Sequence, residues 1–213
     1  MGDVPKRFAD RRDAGRHLGD ALAGIALRSP VVLGLARGGV PVAHEVALKL
    51  GAELDVLVVR KIGAPTQPEL GIGAVAEGDV MVVDEVVRGQ LHVSERVLEG
   101  IVRGERLELL RRVHHYRGDR EPVEVAGRDA VIVDDGLATG VTMRAAVEAV
   151  QARGPSRTVV GVPVGARDAV ARLRGTGAEV VCLLTPDPFV AVGRWYLRFD
   201  QTSDVEVVEL LVP

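Results

Sequence analysis

The chain has 213 residues and a mass of 22.6 kDa, and its 47% hydrophobic content is enough to bury a core without disulfide staples. Twenty-seven Lys and Arg stand against 30 Asp and Glu, a net charge of −3, which argues against a nucleic-acid backbone as the main partner. One cysteine, Cys182, excludes a disulfide framework and a multi-cysteine metal knuckle, no apolar run reaches the ~18 residues of a spanning helix, and the first twenty residues lack the apolar stretch of a secretory signal, so a cytoplasmic protein with no membrane partner is expected.

Aromatic residues are only 3% of the chain, so the core must be built from Val, Leu, Ala and Ile. Residues 9–27 place Ala14, Leu18, Leu22 and Ile25 on one stripe at helical spacing. A short apolar strand follows at 31–36. Pro41 then suits the first turn of a helix over 40–51, which Gly51 stops. Residues 55–59 read as the next strand and end in Arg60-Lys61. Two prolines between Ile62 and Leu70 predict a loop, and 72–83 predicts a hairpin turning at Gly78-Asp79.

An Arg/Glu-laced helix is expected over 94–117, with charges of both signs nearly cancelling, as on a solvated or oligomer-facing helix. Strand 130–134, helix 143–154, strand 158–164, helix 166–174 and strand 179–185 complete the pattern. Valine-rich strands alternating with helices predict an α/β fold with a mainly parallel, twisted sheet flanked by helices. The expected organisation is one domain over 1–213. Residues 62–121 form a flexible loop, hairpin and helical insertion, and 186–213 join a small hood or flap.

The strongest chemical signal is AVIVDDGLATGVTM, residues 130–143. A buried strand there delivers Asp134 and Asp135 to the C-terminal edge of a parallel sheet, where open α/β sheets bind ligands. The loop that follows runs into a helix whose first N–H groups are unpaired. Gly136 and Gly140 let the backbone approach an anion, and Thr139 and Thr142 can donate to it, with Leu137, Ala138 and Val141 completing the cradle. The two carboxylates cannot serve that phosphate. They suit ribose hydroxyls, or a magnesium ion held through water. A phosphate and a diol about one sugar apart describe a ribose 5-phosphate.

At these residues the chain resembles the type I phosphoribosyltransferases, whose signature for 5-phosphoribosyl 1-pyrophosphate (PRPP) is an apolar run, two acids and a small/Thr/Gly loop. LARGGVP (35–41) stands where that family keeps its pyrophosphate loop, with Arg37, Gly38 and Gly39 as its working residues. VRKIGAP (59–65) places Arg60 and Lys61 as the family's Arg-Lys-x-Gly loop does, facing the departing pyrophosphate. With VRKIGAP, the runs ELGIGAVAEG and WYLRFDQTSD are similar to a bacterial group of phosphoribosyltransferases without an assigned substrate.

The resemblance implies transfer of the 5-phosphoribosyl group to a nitrogen base, with Lys61, Arg60 and Asp135 in catalytic roles. It also implies Mg2+, held through water at Asp134 and Asp135, and a homodimer. Ala138 stands where 6-oxopurine transferases carry an aspartate that acts on the base, so a 6-oxopurine acceptor is disfavoured. Glu69 and Glu77 are the next carboxylates to consider for such a role. A non-catalytic regulator that binds PRPP or a nucleotide is the alternative, and hydrolysis or phosphorolysis of a phosphoribosyl compound remains open.

Other signals carry less. Gly71–Ala76 fits a dinucleotide GxGxxA pattern but lies inside a strand, not between strand and helix. His114-His115 are adjacent on a helix and face different ways. Four of the six aromatics, Phe189, Trp195, Tyr196 and Phe199, cluster in the tail. They could stack on a base, though pinning the tail to the core is the favoured use.

Overall fold

The computed structural model describes residues 5–212. In chain order the first elements are α1 (Arg11–Ala23), β1 (Val31–Leu35), α2 (Gly39–Leu50), β2 (Glu53–Leu57), β3 (Val59–Ala64), β4 (Gln67–Ala76), β5 (Met81–Val83), α3 (Glu85–Gln90) and α4 (Glu95–Arg117). They are followed by β6 (Asp129–Val133), α5 (Val141–Gln151), β7 (Arg157–Val164), α6 (Arg167–Arg174), β8 (Glu179–Leu184) and α7 (Asp204–Leu210).

Five strands form a parallel sheet in the order β2-β1-β6-β7-β8, with helices on both faces. Its valines, buried on both sides, make the continuous apolar runs of a covered parallel sheet. Val32, Val131, Val133 and Val159 face α1 and α2, where Leu18, Leu22, Val42 and Val46 cover them. Val31, Leu33, Ile132 and Val160 face the other way, onto Met143, Val147, Val150 and Val170 of α5 and α6. The two helices on the first face approach closely because α1 presents glycine: a Cβ on Gly15 would stand 2.6 Å from the Val42 carbonyl. None of the helices among the described residues is long and apolar enough to cross a membrane.

The order reverses between β1 and β6. From β1 the chain steps outward to β2, whereas β6, β7 and β8 step the other way. The crevice outside the carboxyl ends of β1 and β6 is therefore the topological switch point where such sheets take ligands.

A second, antiparallel sheet in the order β3-β4-β5 packs with α3, α4 and α7 around Ile62, Ile72, Val75, Leu98 and Val207. Here the structure corrects the loop expected between Ile62 and Leu70. Those residues complete β3 and begin β4, turning at Pro65-Thr66. Both prolines are accommodated without losing ladder bonds. Pro65 sits in the turn, and Pro68 falls where the register shifts and where β5, paired only to Gly73–Val75, has not yet begun. The strand expected at 55–59 is also divided: β2 ends at Leu57, and the Val58 N–H donates to Glu77 Oε1 at 2.8 Å.

Arg117 ties the two sheets together. It is 5% exposed and reaches Asp55 on β2 at 3.3 Å and Glu77 after β4 at 2.8 Å, and it donates to the Val56 carbonyl at 2.7 Å.

Candidate functional site

Asp134 and Asp135 stand immediately after β6, half-buried at the switch point. The Asp135 N–H donates to Asp134 Oδ1 at 2.8 Å, which fixes one carboxylate against the backbone of the other. Burial, with the neighbouring Asp135 charge, pushes the Asp134 carboxyl well above the usual range. Burial also raises Asp135, opposed by Arg11, whose Nε donates to Asp135 Oδ2 at 2.8 Å. The pair thus sets two carboxyl groups side by side in a poorly solvated place, where a cation would favour their ionised form.

The loop after these acids is pinned at Leu137, and Arg172 Nη2 also donates to the Thr139 carbonyl at 3.1 Å. Leu137 is buried, its N–H donates to the Val164 carbonyl at 2.9 Å, and its carbonyl accepts from Ala166 at 2.8 Å. Leu137 therefore anchors the loop, and its own N–H is not open to a ligand. Gly140 caps α5 at φ +83°, a conformation that glycine adopts freely, and provides no side-chain cap. The first turn of α5 is left with open N–H groups at the positive end of its dipole. Ala138 and Thr139 are exposed there, Val141 and Thr142 half-buried, and neither threonine hydroxyl has a protein partner among the described residues.

The turn after β1 approaches from the other side. The Ala36–Arg37 peptide is cis. Gly38 and Gly39 lie against the acids so closely that a Cβ on Gly38 would stand 2.1 Å from Asp135 Oδ2, and one on Gly39 would stand 2.6 Å from the Val133 carbonyl. Only glycine permits that approach. Arg37 lies 3.6 Å from Asp204, which also accepts from the Tyr116 hydroxyl at 2.5 Å. Burial and that bond raise the Tyr116 hydroxyl to about 12.

Beside the turn after β1 and Asp135 is a cleft of about 380 Å³, which residues 136–142 do not line. Arg11, Arg37, Gly38 and Asp135 line one side, and Val192, Phe199, Gln201 and Thr202 of the C-terminal segment line the other. That segment is bound to the site. Tyr196 is buried and its hydroxyl donates to the Asp135 carbonyl at 2.5 Å, while Val192 fills the space a Gly136 side chain would need. Phe199 has Tyr196 on one side, at 4.8 Å between centroids, and the Arg11 guanidinium carbon 3.9 Å from its own centroid. Tyr196 and Phe199 therefore pack the tail onto the site.

Arg60 and Lys61 do not line this cleft. Arg60 Nε is bonded to Glu105 Oε2 on α4 at 2.8 Å, and Lys61 lies exposed on β3, paired across the ladder with Ala74. Glu77 is held by Arg117 and Val58, so it is a structural carboxylate, and the side chain of Glu69 lies outside the described residues.

No cluster of three or more His, Cys, Asp or Glu capable of holding a metal exists among the described residues, and His114 and His115 are exposed on α4. Two adjacent carboxylates, one already paired to Arg11, suit a hydrated Mg2+ shared with a phosphate-bearing ligand rather than an all-protein cage.

Sequence reasoning missed Arg11 and the Gln201-Thr202 wall, whereas the pinning favoured for the tail aromatics is what buried Tyr196 does. A signal for Arg11 was present: a cation in the first turn of an N-capped helix, where the dipole disfavours it.

A family model described as a phosphoribosyl transferase domain matches residues 14–184. Two curated proteins, each named "Putative phosphoribosyl transferase" and from two strains of Mycobacterium tuberculosis, are 52% identical to the chain over 207 residues. The match covers 97% of this chain and 46% of theirs, so the chain spans about half the length of the curated relatives it matches. A crystal structure from Thermus thermophilus is 48% identical, covers 96% of this chain and 97% of its own, and superposes with a TM-score of 0.82. A Neisseria gonorrhoeae protein solved with bound ppGpp shares the fold at a TM-score of 0.55 and 11% identity, over 99% of this chain and 98% of its own.

Proposed function

The chain belongs to the phosphoribosyl transferase family, and from that premise we propose that it transfers the 5-phosphoribosyl group of PRPP to a nitrogen base other than a 6-oxopurine, with release of pyrophosphate. In that reaction the bond from C1 to the pyrophosphate oxygen breaks, a bond from the base nitrogen to C1 forms, and the base loses a proton. The observation that carries the reading is convergence. The glycines after β1 lie against the acids after β6 at the switch point of the parallel sheet, and the loop from those acids leads into the open first turn of α5.

The residues divide the ligand between them. Backbone N–H groups of 138–142, with the Thr139 and Thr142 hydroxyls, take the 5-phosphate. Asp134 and Asp135 accept from the ribose hydroxyls and hold hydration water of Mg2+. When bound, Mg2+ neutralises charge on the pyrophosphate as it leaves. Gly38 and Gly39 offer backbone N–H groups to that pyrophosphate, and Arg37 adds a positive charge. Lys61, with Arg60, reaches it by approach of the β3–β4 hairpin, so that its contribution grows as the C1 bond breaks.

Ala138 offers no proton acceptor beside the base, and its neighbours Leu137 and Val141 are apolar. Activation of the base therefore falls to solvent, to another side chain or to the base's own tautomer. The segment 186–213, which walls the cleft with Gln201 and Thr202, acts as the hood over the acceptor. The working form is a cytoplasmic homodimer, to be checked by light scattering.

The test is pyrophosphate release from PRPP with Mg2+, screened across free bases. Release with one base, and none with hypoxanthine or guanine, is the expected result. Conversion of either 6-oxopurine would overturn the exclusion drawn from Ala138. Binding of PRPP without turnover of any base would assign the chain to regulation instead.

A further inference from the structure

Arg11 is the charged side chain of the cleft to which the proposed transfer assigns no task. It occupies the first position of α1, behind the N-cap Asp10. A cation there faces the positive end of the helix dipole, so helix stability offers no reason for it. Arg12 and Arg16 turn away to Glu45, at 3.5 and 3.9 Å. Arg11 instead enters the cleft. Its Nε donates to Asp135 at 2.8 Å, its Nη1 donates to the Asp200 carbonyl at 2.5 Å, and its plane lies over Phe199. A Cβ on Gly38 would stand 3.3 Å from Arg11 Nε, so the guanidinium rests against the backbone of the turn after β1. Its Nη2 has no protein partner among the described residues.

We propose that Arg11 is a further substrate-binding residue, whose outer guanidinium edge binds the pyrophosphate group of the ligand beside Gly38 while its Nε holds the Asp135 carboxylate in position for the ribose. This rests on the reading of the cleft as a PRPP site. A guanidinium can serve two anions at once because its N–H groups point in fixed directions in one plane. Phe199 beneath that plane and the Asp200 carbonyl at its edge keep it from rotating out of register. A lysine would carry the charge without the fork.

The test is calorimetric titration of inorganic pyrophosphate with Mg2+, and separately of PRPP with Mg2+, into the wild type and into Arg11→Ala, Arg11→Lys, Phe199→Leu and Arg198→Ala. Arg198 also ties the C-terminal segment to the start of α1, through an ion pair of 2.6 Å to Asp10, and does not line the cleft. Arg11→Ala is expected to weaken pyrophosphate about 10–100-fold, the loss of a hydrogen bond between charged groups. Arg11→Lys should recover only part of that affinity, Phe199→Leu should lose a smaller share, and Arg198→Ala should match the wild type. Unchanged affinity in folded Arg11→Ala overturns the inference. An equal loss in Arg198→Ala also overturns it, because Arg11 would then only tie the segments together. If Arg11→Ala fails to fold, wild-type affinity in Arg11→Lys overturns it. A wild type that binds neither compound removes the PRPP reading itself, whereas a wild type that binds both beside unaffected Arg11 variants removes only the role given to Arg11.

Discussion

Two regions of the molecule pair an arginine with a carboxylate in the same way. At the carboxyl edge of the parallel sheet Arg11 Nε meets Asp135 at 2.8 Å, and beside the small antiparallel sheet Arg60 Nε meets Glu105 at 2.8 Å. Their surroundings differ. The first pair lines a cleft, touches a glycine turn and sits beside a second, poorly solvated carboxylate. The second joins a strand to a helix, with both partners about a quarter exposed. Bond geometry alone therefore does not separate a binding pair from a bracing pair. What separates them is whether the pair borders an open cleft, as at Arg11, or only joins a strand to a helix, as at Arg60.

Arg117 is the strongest brace, and removing it should give the largest effect. Arg117→Ala would leave buried Asp55 and half-buried Glu77 with an uncompensated charge, at a cost of about 3–5 kcal/mol in denaturant unfolding. The molecules that remain folded should still bind PRPP. A loss below ~1 kcal/mol would mean that this network does not hold the two sheets together.

Lys61 tests the same division from the side of the small sheet. Lys61→Ala is expected to lower kcat about 10–1000-fold with a smaller change in KM, since charge on pyrophosphate builds in the transition state. Arg60→Ala, which breaks a partly exposed pair, should cost less than ~1 kcal/mol of stability and less kcat than Lys61→Ala. A rise in KM at constant kcat would give Lys61 a uniform binding role.

Gly38→Ala sharpens the comparison at the other sheet. The new Cβ would stand 2.1 Å from Asp135 Oδ2, so turn and carboxylate must separate. Overpacking should cost about 1–3 kcal/mol in denaturant unfolding, and the separated turn and carboxylate should bind PRPP more weakly by calorimetry. Retained affinity would contradict the close apposition of these two loops in binding.

The smallest effect has the opposite sign. Because burial and Asp135 raise Asp134 above its ordinary 3.8, the folded chain favours the protonated acid, and stability falls as pH rises through the range above 3.8. Asp134→Asn removes that cost and should raise Tm at pH 7 by roughly 2–4 °C, the shift for about 1 kcal/mol in a chain of this size. A fall in Tm would show that the Asp134 charge stabilises the fold.

The parallel sheet, and the two acids at its carboxyl edge, could be read from the sequence because both depend on local pattern. Valine runs closed by acids, and glycines placed between strand and helix, carry their meaning within a dozen residues. The β3–β4 hairpin could not be read in this way, since Pro65 and Pro68 signal a loop unless the bulge and the missing partner strand are known. α7 did have a local signal, Ser203 three residues before Glu206, and the serine oxygen does accept from the Glu206 N–H at 3.1 Å. Arg11 is 124 residues from Asp135, so nothing in its own neighbourhood names that partner. The tail aromatics show the same limit, because pinning the segment and stacking on a ligand require the same residues.

The central claim, that PRPP binds where the acids after β6 meet α5, is tested most directly by calorimetric titration of PRPP with Mg2+ into the wild type and into the variant carrying both Asp134→Asn and Asp135→Asn. Binding to the wild type and a loss of at least ~100-fold in the folded double variant, two charge-assisted contacts at about 1.5–3 kcal/mol each, is the predicted result. Equal affinity in the two proteins would contradict it.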